Sequence, residues 1–113
     1  MTEKFISRAY LTLFNLLDSR FNKTSDKETG KLLSAMNPYI FTNDLSADSA
    51  CYEDFCDCAM QYNNDEIVSA YSASIGFLKM YCNDFGFNIQ CLVDDISLKE
   101  YQEMFIETNK NEL

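Results

Sequence analysis

EKFISRAYLTLFNLLDSRF, residues 3–21, is the stretch that decides the fold. Its apolar residues Phe5, Ile6, Ala9, Tyr10, Leu13, Phe14, Leu17 and Phe21 recur at three- and four-residue steps, with Lys4, Arg8, Asn15 and Asp18 between them. A helix turns once in about 3.6 residues, so this spacing gathers the apolar side chains onto one face. Leu11 and Leu16 widen that face, as expected of a helix packed between neighbours.

Downstream, Ser25 and Glu28 form an S-x-x-E capping box and predict a second helix starting at Ser25. Leu32, Leu33 and Met36 supply its apolar side, Gly30 weakens it, and Asn37-Pro38 ends it, because proline disfavours helical geometry in the residue before it. The apolar knot Tyr39-Ile40-Phe41 then leads into a polar connection over 42–47. Asp48 is an N-cap for a third helix running to about Tyr62, with Cys51, Phe55, Cys58, Ala59 and Tyr62 on one face. Asn63-Asn64 breaks the chain. Asn64 or Asp65 caps a fourth helix whose stripe reads Ile67, Val68, Tyr71, Ile75, Leu78 and Cys82, closed by Gly86 in the left-handed region. FNIQCLV, 87–93, alternates like a strand and also steps like a helix; a lone strand finds no partner here, which favours a short helix. Ser97 and Glu100 make a second capping box, followed by a last helix with Leu98, Tyr101, Phe105 and Ile106 inward. A tail fraying from about Thr108 completes the reading.

The expectation is an all-α, single-domain bundle of five or six helices spanning 1–113. The 113 residues suffice for one core without disulfides or a metal. Three glycines and one proline are too few turn formers for a many-stranded sandwich or barrel.

Charge is unevenly placed. The chain carries −9 overall, yet residues 1–31 hold more bases than acids. From Asp44 to Glu66 there are acids at Asp44, Asp48, Glu53, Asp54, Asp57, Asp65 and Glu66 and no base. Such a field repels phosphate backbones, which argues against nucleic acid and for a basic protein partner. The plainer alternative is a solubilising surface. No stretch reaches the ~20 apolar residues of a membrane span. Glu3 and Arg8 interrupt any signal-like run, so the expected compartment is the cytoplasm, with the cysteines reduced.

Chemistry finds little footing. Zinc needs four converging soft ligands, but Cys51, Cys56 and Cys58 are spaced C-x₄-C-x-C and there is no histidine. On a helix Cys51 and Cys58 turn inward and Cys56 points away, making Cys56 the expected exposed thiol, with acidic neighbours that oppose thiolate formation. Asp44, Ser46 and Asp48 begin like a calcium loop, but Ser49 and Phe55 stand where the turn glycine and bidentate glutamate belong. Without histidine there is no His-dependent triad, and no phosphate-binding or nucleophile-elbow motif occurs. The expectation is no enzyme, no metal and no cofactor. Tyr52, Tyr62, Tyr71, Tyr81 and Tyr101, lying among carboxylates, are either core residues or a protein-binding face.

KLLSAMNPYIF (31–41), LSADSACYEDF (45–55) and DDISLKEYQEMF (94–105) together resemble small, acidic, cytoplasmic bacterial toxin-immunity proteins. The resemblance runs in outline over 10–106 and rests on Leu-Leu-x-x-Met followed by Asn-Pro, and on the Tyr-Glu-Asp-Phe helix start. The chain departs from it at Asp48-Ser49-Ala50, where Asp-Pro-Ala would fit; proline there is only a favoured first-turn residue. The resemblance implies a stoichiometric inhibitor, often acidic, that covers a toxin's active site or a nearby surface; the leading expectation is that the acidic surface of 44–66, joined by 94–103, binds a basic toxin domain. The competing reading is a non-inhibitory helical adaptor or a self-associating module, with a homodimer through a Tyr/Phe face.

Overall fold

The computed structural model describes residues 1–37 and 49–110. Six helices make up the described residues: α1 (Glu3–Thr24), α2 (Lys27–Met36), α3 (Ser49–Ala59), α4 (Ile67–Asp84), α5 (Gln90–Asp95) and α6 (Leu98–Asn109). No strand occurs among them. The connection at 38–48, with the Tyr39-Ile40-Phe41 knot and the Asp48 cap expected there, lies outside the described residues.

α1 is the centre of the bundle, packing on α2, α3, α4 and α6. Thr2 starts it by accepting the Phe5 N–H on its hydroxyl at 3.2 Å. Its inward face holds Phe5, Ile6, Ala9, Tyr10, Leu13, Phe14, Leu16 and Leu17, all buried. The widened stripe thus serves a helix covered on several sides.

Three buried polar groups tie neighbours to this axis. Tyr10 donates its hydroxyl to the Met36 carbonyl at 2.8 Å, satisfying an acceptor left open at the end of α2. Tyr101 on α6 donates to the Ala9 carbonyl at 3.1 Å and receives the Ser74 hydroxyl of α4 at 3.2 Å. Phe55 of α3 is fully buried, its ring edge-on to Tyr10 at 5.3 Å and to Phe77 at 5.7 Å.

Several expectations are corrected. Ser25 does not cap the second helix. It closes α1 instead, at φ 55°, with its N–H on the Phe21 carbonyl, and Asp26 is the cap of α2. Glu28, released from the box, accepts the Asn88 N–H at 3.1 Å. Gly30 has a packing reason: a Cβ there would lie 2.8 Å from the Phe21 ring, so the bare backbone lets α1 and α2 approach.

α3 ends at Ala59, short of Tyr62, and Met60-Gln61 form a turn. The stripe of α4 is rotated. Its buried residues are Ser69, Ala70, Ala73, Ser74, Phe77, Leu78 and Tyr81, whereas Val68 is exposed and Ile67, Tyr71, Ile75 and Cys82 are half-buried. Small residues face inward because α4 is crowded by α1, α3, α5 and α6. Gly86 takes the expected left-handed conformation, φ 74°. Residues 90–95 are helical, with Ile89 buried just before them. Ser97 caps α6 by accepting the Glu100 N–H. Ile106 points outward; Asn109 is buried and donates to the Phe105 carbonyl, and Asn15 donates to the Thr108 hydroxyl, while residues 111–113 of the tail expected to fray lie outside the described residues.

The Asp26 cap yields a pH prediction. The Thr29 hydroxyl and N–H both donate to its Oδ2, at 2.7 and 3.0 Å, and hold the carboxyl below its ordinary 3.8. A carboxylate depressed in the folded state stabilises it above the unfolded pKa and loses that contribution as pH falls through the folded one. Resistance to urea should therefore drop on acidification below pH 3.8, and Asp26→Asn, which still caps, should flatten part of that drop. An unchanged acid limb in the variant would contradict the cap.

Candidate functional site

Of the seven carboxylates expected to meet a partner, Asp44 and Asp48 lie outside the described residues. The other five divide by what their oxygens already hold.

Asp54 and Asp65 are committed to the fold. Asp54 accepts the Tyr81 hydroxyl on Oδ2 at 2.8 Å, and the same hydroxyl lies 3.3 Å from Cys51 Sγ. Burial, then Cys51 and Asp54, push the Tyr81 hydroxyl far above its usual range, so it remains a donor. Asp65, offered as a cap for α4, instead accepts the Thr2 N–H at 2.9 Å and the Thr2 hydroxyl at 3.0 Å, clamping the start of α1. Asn64 is not the cap either: the N-cap position of α4 is Glu66, which makes no side-chain cap bond, and Asn64 just before it accepts the Glu66 N–H and the Ser69 hydroxyl on Oδ1.

Glu53, Asp57 and Glu66 are exposed and enter no ion pair among the described residues. Glu53 and Asp57, one turn apart, stand on the solvent side of α3, opposite the buried Cys51, Phe55 and Cys58. Two residues escaped the sequence reading. Met60 continues the line of Glu53 and Asp57 at helical spacing and is 71% exposed. Glu3 comes from the segment with the basic excess, yet its charge reaches Cys56 together with those of Asp57 and Glu53. The signal for Met60 was available in its i+3 spacing from Asp57; that for Glu3 was not, because it depends on α1 packing against α3.

The five tyrosines are core or boundary residues. Tyr81 and Tyr101 are buried, and Tyr52, Tyr62 and Tyr71 are half-buried; Tyr52 shares a hydrogen bond with Ser7 and Tyr71 donates to the Ile96 carbonyl at 2.7 Å. In the 94–103 segment, Asp95 and Glu100 are both held by Arg20, at 2.7 and 2.6 Å, and Asp94 accepts from Gln90.

Cys51 and Cys58 are buried as expected, but Cys56 is half-covered and Cys91 on α5 is the exposed thiol. Burial, followed by the acidic neighbours, raises the thiols of Cys56 and Cys58. Native-state alkylation read by peptide mass should therefore modify Cys91 first, with Cys51 and Cys58 reacting only on unfolding. Cys51 labelling as fast as Cys91 would refute this burial pattern. No group of three or more potential metal ligands converges among the described residues. Open grooves among the described residues include one of about 550 Å³ between α1 and α6 and one of about 580 Å³ beside Arg20, Asp26, Cys91 and Asp95. Neither is lined by the α3 carboxylates.

No described helix is long and apolar enough to cross a membrane. No protein-family model, curated protein or solved structure matches the chain.

Proposed function

We propose that this protein is a stoichiometric binding protein of the toxin-immunity class, which neutralises a basic bacterial toxin domain through the solvent face of α3. The observation that carries the reading is the line Glu53, Asp57, Met60: two carboxylates with no ion pair among the described residues beside an apolar side chain left 71% exposed. Exposed carboxylates steer a cationic partner, and an apolar side chain that such a partner covers supplies the buried contact. Methionine suits that position because its thioether adapts to the surface it meets. The −9 net charge adds long-range attraction.

The resemblance of 31–41, 45–55 and 94–105 to immunity proteins supplies the class of partner, and a cytoplasmic site of action goes with it. The test is co-expression with the product of a toxin-like reading frame adjacent to its gene: cells should survive with the wild-type protein and die with the Glu53→Lys/Asp57→Lys variant. Survival with both would defeat the α3 mechanism, and death with both would defeat the immunity reading.

A further inference from the structure

The outer face of α4 is only partly covered by the fold: Val68 and Lys79 are exposed, Ser72 and Gly76 half-exposed, and Ile75 packs at the edge of the core. Val68, Ser72, Ile75, Gly76 and Lys79 fall within about a third of the helix circumference, on the side away from Phe77 and Tyr81. Val68 is 51% exposed, a large fraction for a β-branched apolar side chain. At Gly76 a Cβ would meet nothing within 4 Å, so the backbone is bare toward open space. Charge is arranged along the same line. Lys79 is the sole base between Lys31 and Lys99, is exposed, and forms no ion pair among the described residues. At the opposite end stand Asp65 and Glu66, both exposed.

We infer that this face docks a second copy of the chain, α4 against α4 and antiparallel, about a two-fold axis passing by Ser72. In such a pair each residue meets the one equally far beyond Ser72 on the partner. Val68 and Gly76 are equidistant from Ser72, so the branched side chain of one copy seats on the bare backbone of the other. Lys79 stands seven residues beyond Ser72 and Glu66 six before it, which brings each lysine to the partner's Glu66, with the Thr2-bound Asp65 adjacent. The charge pattern is thus complementary to itself only in the antiparallel sense; a parallel pair would set lysine on lysine. One helix face covers less than the ~800 Å² per partner of a stable interface, so the dimer is weak and concentration-dependent. This association uses residues other than Glu53, Asp57 and Met60, and is independent of the α3 reading.

Sedimentation velocity across a concentration series tests it. The wild-type protein should shift from monomer toward dimer, and Glu53→Lys/Asp57→Lys should dimerise as well or better. Gly76→Arg, which projects into open space in the monomer, should remain folded by circular dichroism and stay monomeric. Lys79→Glu alone and Glu66→Lys alone should each weaken the dimer, on the order of tenfold, because each turns two attractions into two repulsions. An equimolar mixture of those two variants should dimerise more tightly than either variant alone, since both Lys79–Glu66 contacts then again join opposite charges. A wild-type protein that is monomeric throughout, a dimer that persists in Gly76→Arg, or a mixture no stronger than its components would overturn the inference. Should Gly76→Arg fail to fold, the mixed pair decides.

Discussion

Phe55→Ala is expected to destabilise the protein by about 3–5 kcal/mol, the usual cost of emptying a fully buried aromatic site. Small domains have only about 5–15 kcal/mol in total. Phe55 has no exposed surface, and its ring joins α3 to α1 through Tyr10 and to α4 through Phe77. Removing it takes away burial and two edge-on ring contacts together, and helices held at both ends cannot easily collapse into the space. Urea unfolding followed by circular dichroism measures the loss. Phe85→Ala is the matched control: that ring is 56% exposed and touches Tyr81 at a 4.7 Å centroid distance. It should cost about 1 kcal/mol or less. Equal losses in the two variants would mean that α3 does not pack as described.

Glu53→Lys/Asp57→Lys is expected to have the largest effect on partner binding. Each reversal adds two positive charges, taking the chain from −9 to −5, and both fall where the incoming surface arrives. Steered association typically gains 10- to 1,000-fold from complementary fields, so the association rate should fall by at least tenfold at low ionic strength. Part of the difference from wild type should vanish in high salt, where the Debye length shrinks to ~3 Å. Met60→Ala should act differently, speeding dissociation with little change in association, because it removes a contact without altering charge. Surface plasmon resonance against the purified toxin domain separates the two. A double reversal that binds as fast as wild type at low salt would remove the acidic-face mechanism.

How much of this was legible depended on whether a signal was local. The α1 stripe was read correctly because each apolar residue there reports the same helical period, and Ser97 was read correctly because a cap needs only its own first turn. Ser25 misled because Asp26 follows it, and both residues can cap; the choice between them fell to the end of α1, where Ser25 takes a left-handed turn. On α4 the most hydrophobic residues did not mark the inward face. Ala70, Ala73 and Ser74 are buried because neighbouring helices leave room only for small side chains, a fact of tertiary packing that hydropathy does not encode. The acidic run 44–66 was visible as a composition, but its division was not. Asp54 and Asp65 look like Glu53 and Asp57 in sequence, and only the positions of Tyr81 and Thr2 show which carboxylates are already engaged.

The hydroxyl of Tyr81 anchors α3 from behind, reaching both Cys51 and Asp54. Its effect on recognition is entropic. A helix pinned at mid-length presents the same silhouette before and after an encounter, so little freedom is surrendered when a partner arrives. Loosening that one phenol, as in Tyr81→Phe, should leave the shape of the complex intact while making each productive collision rarer.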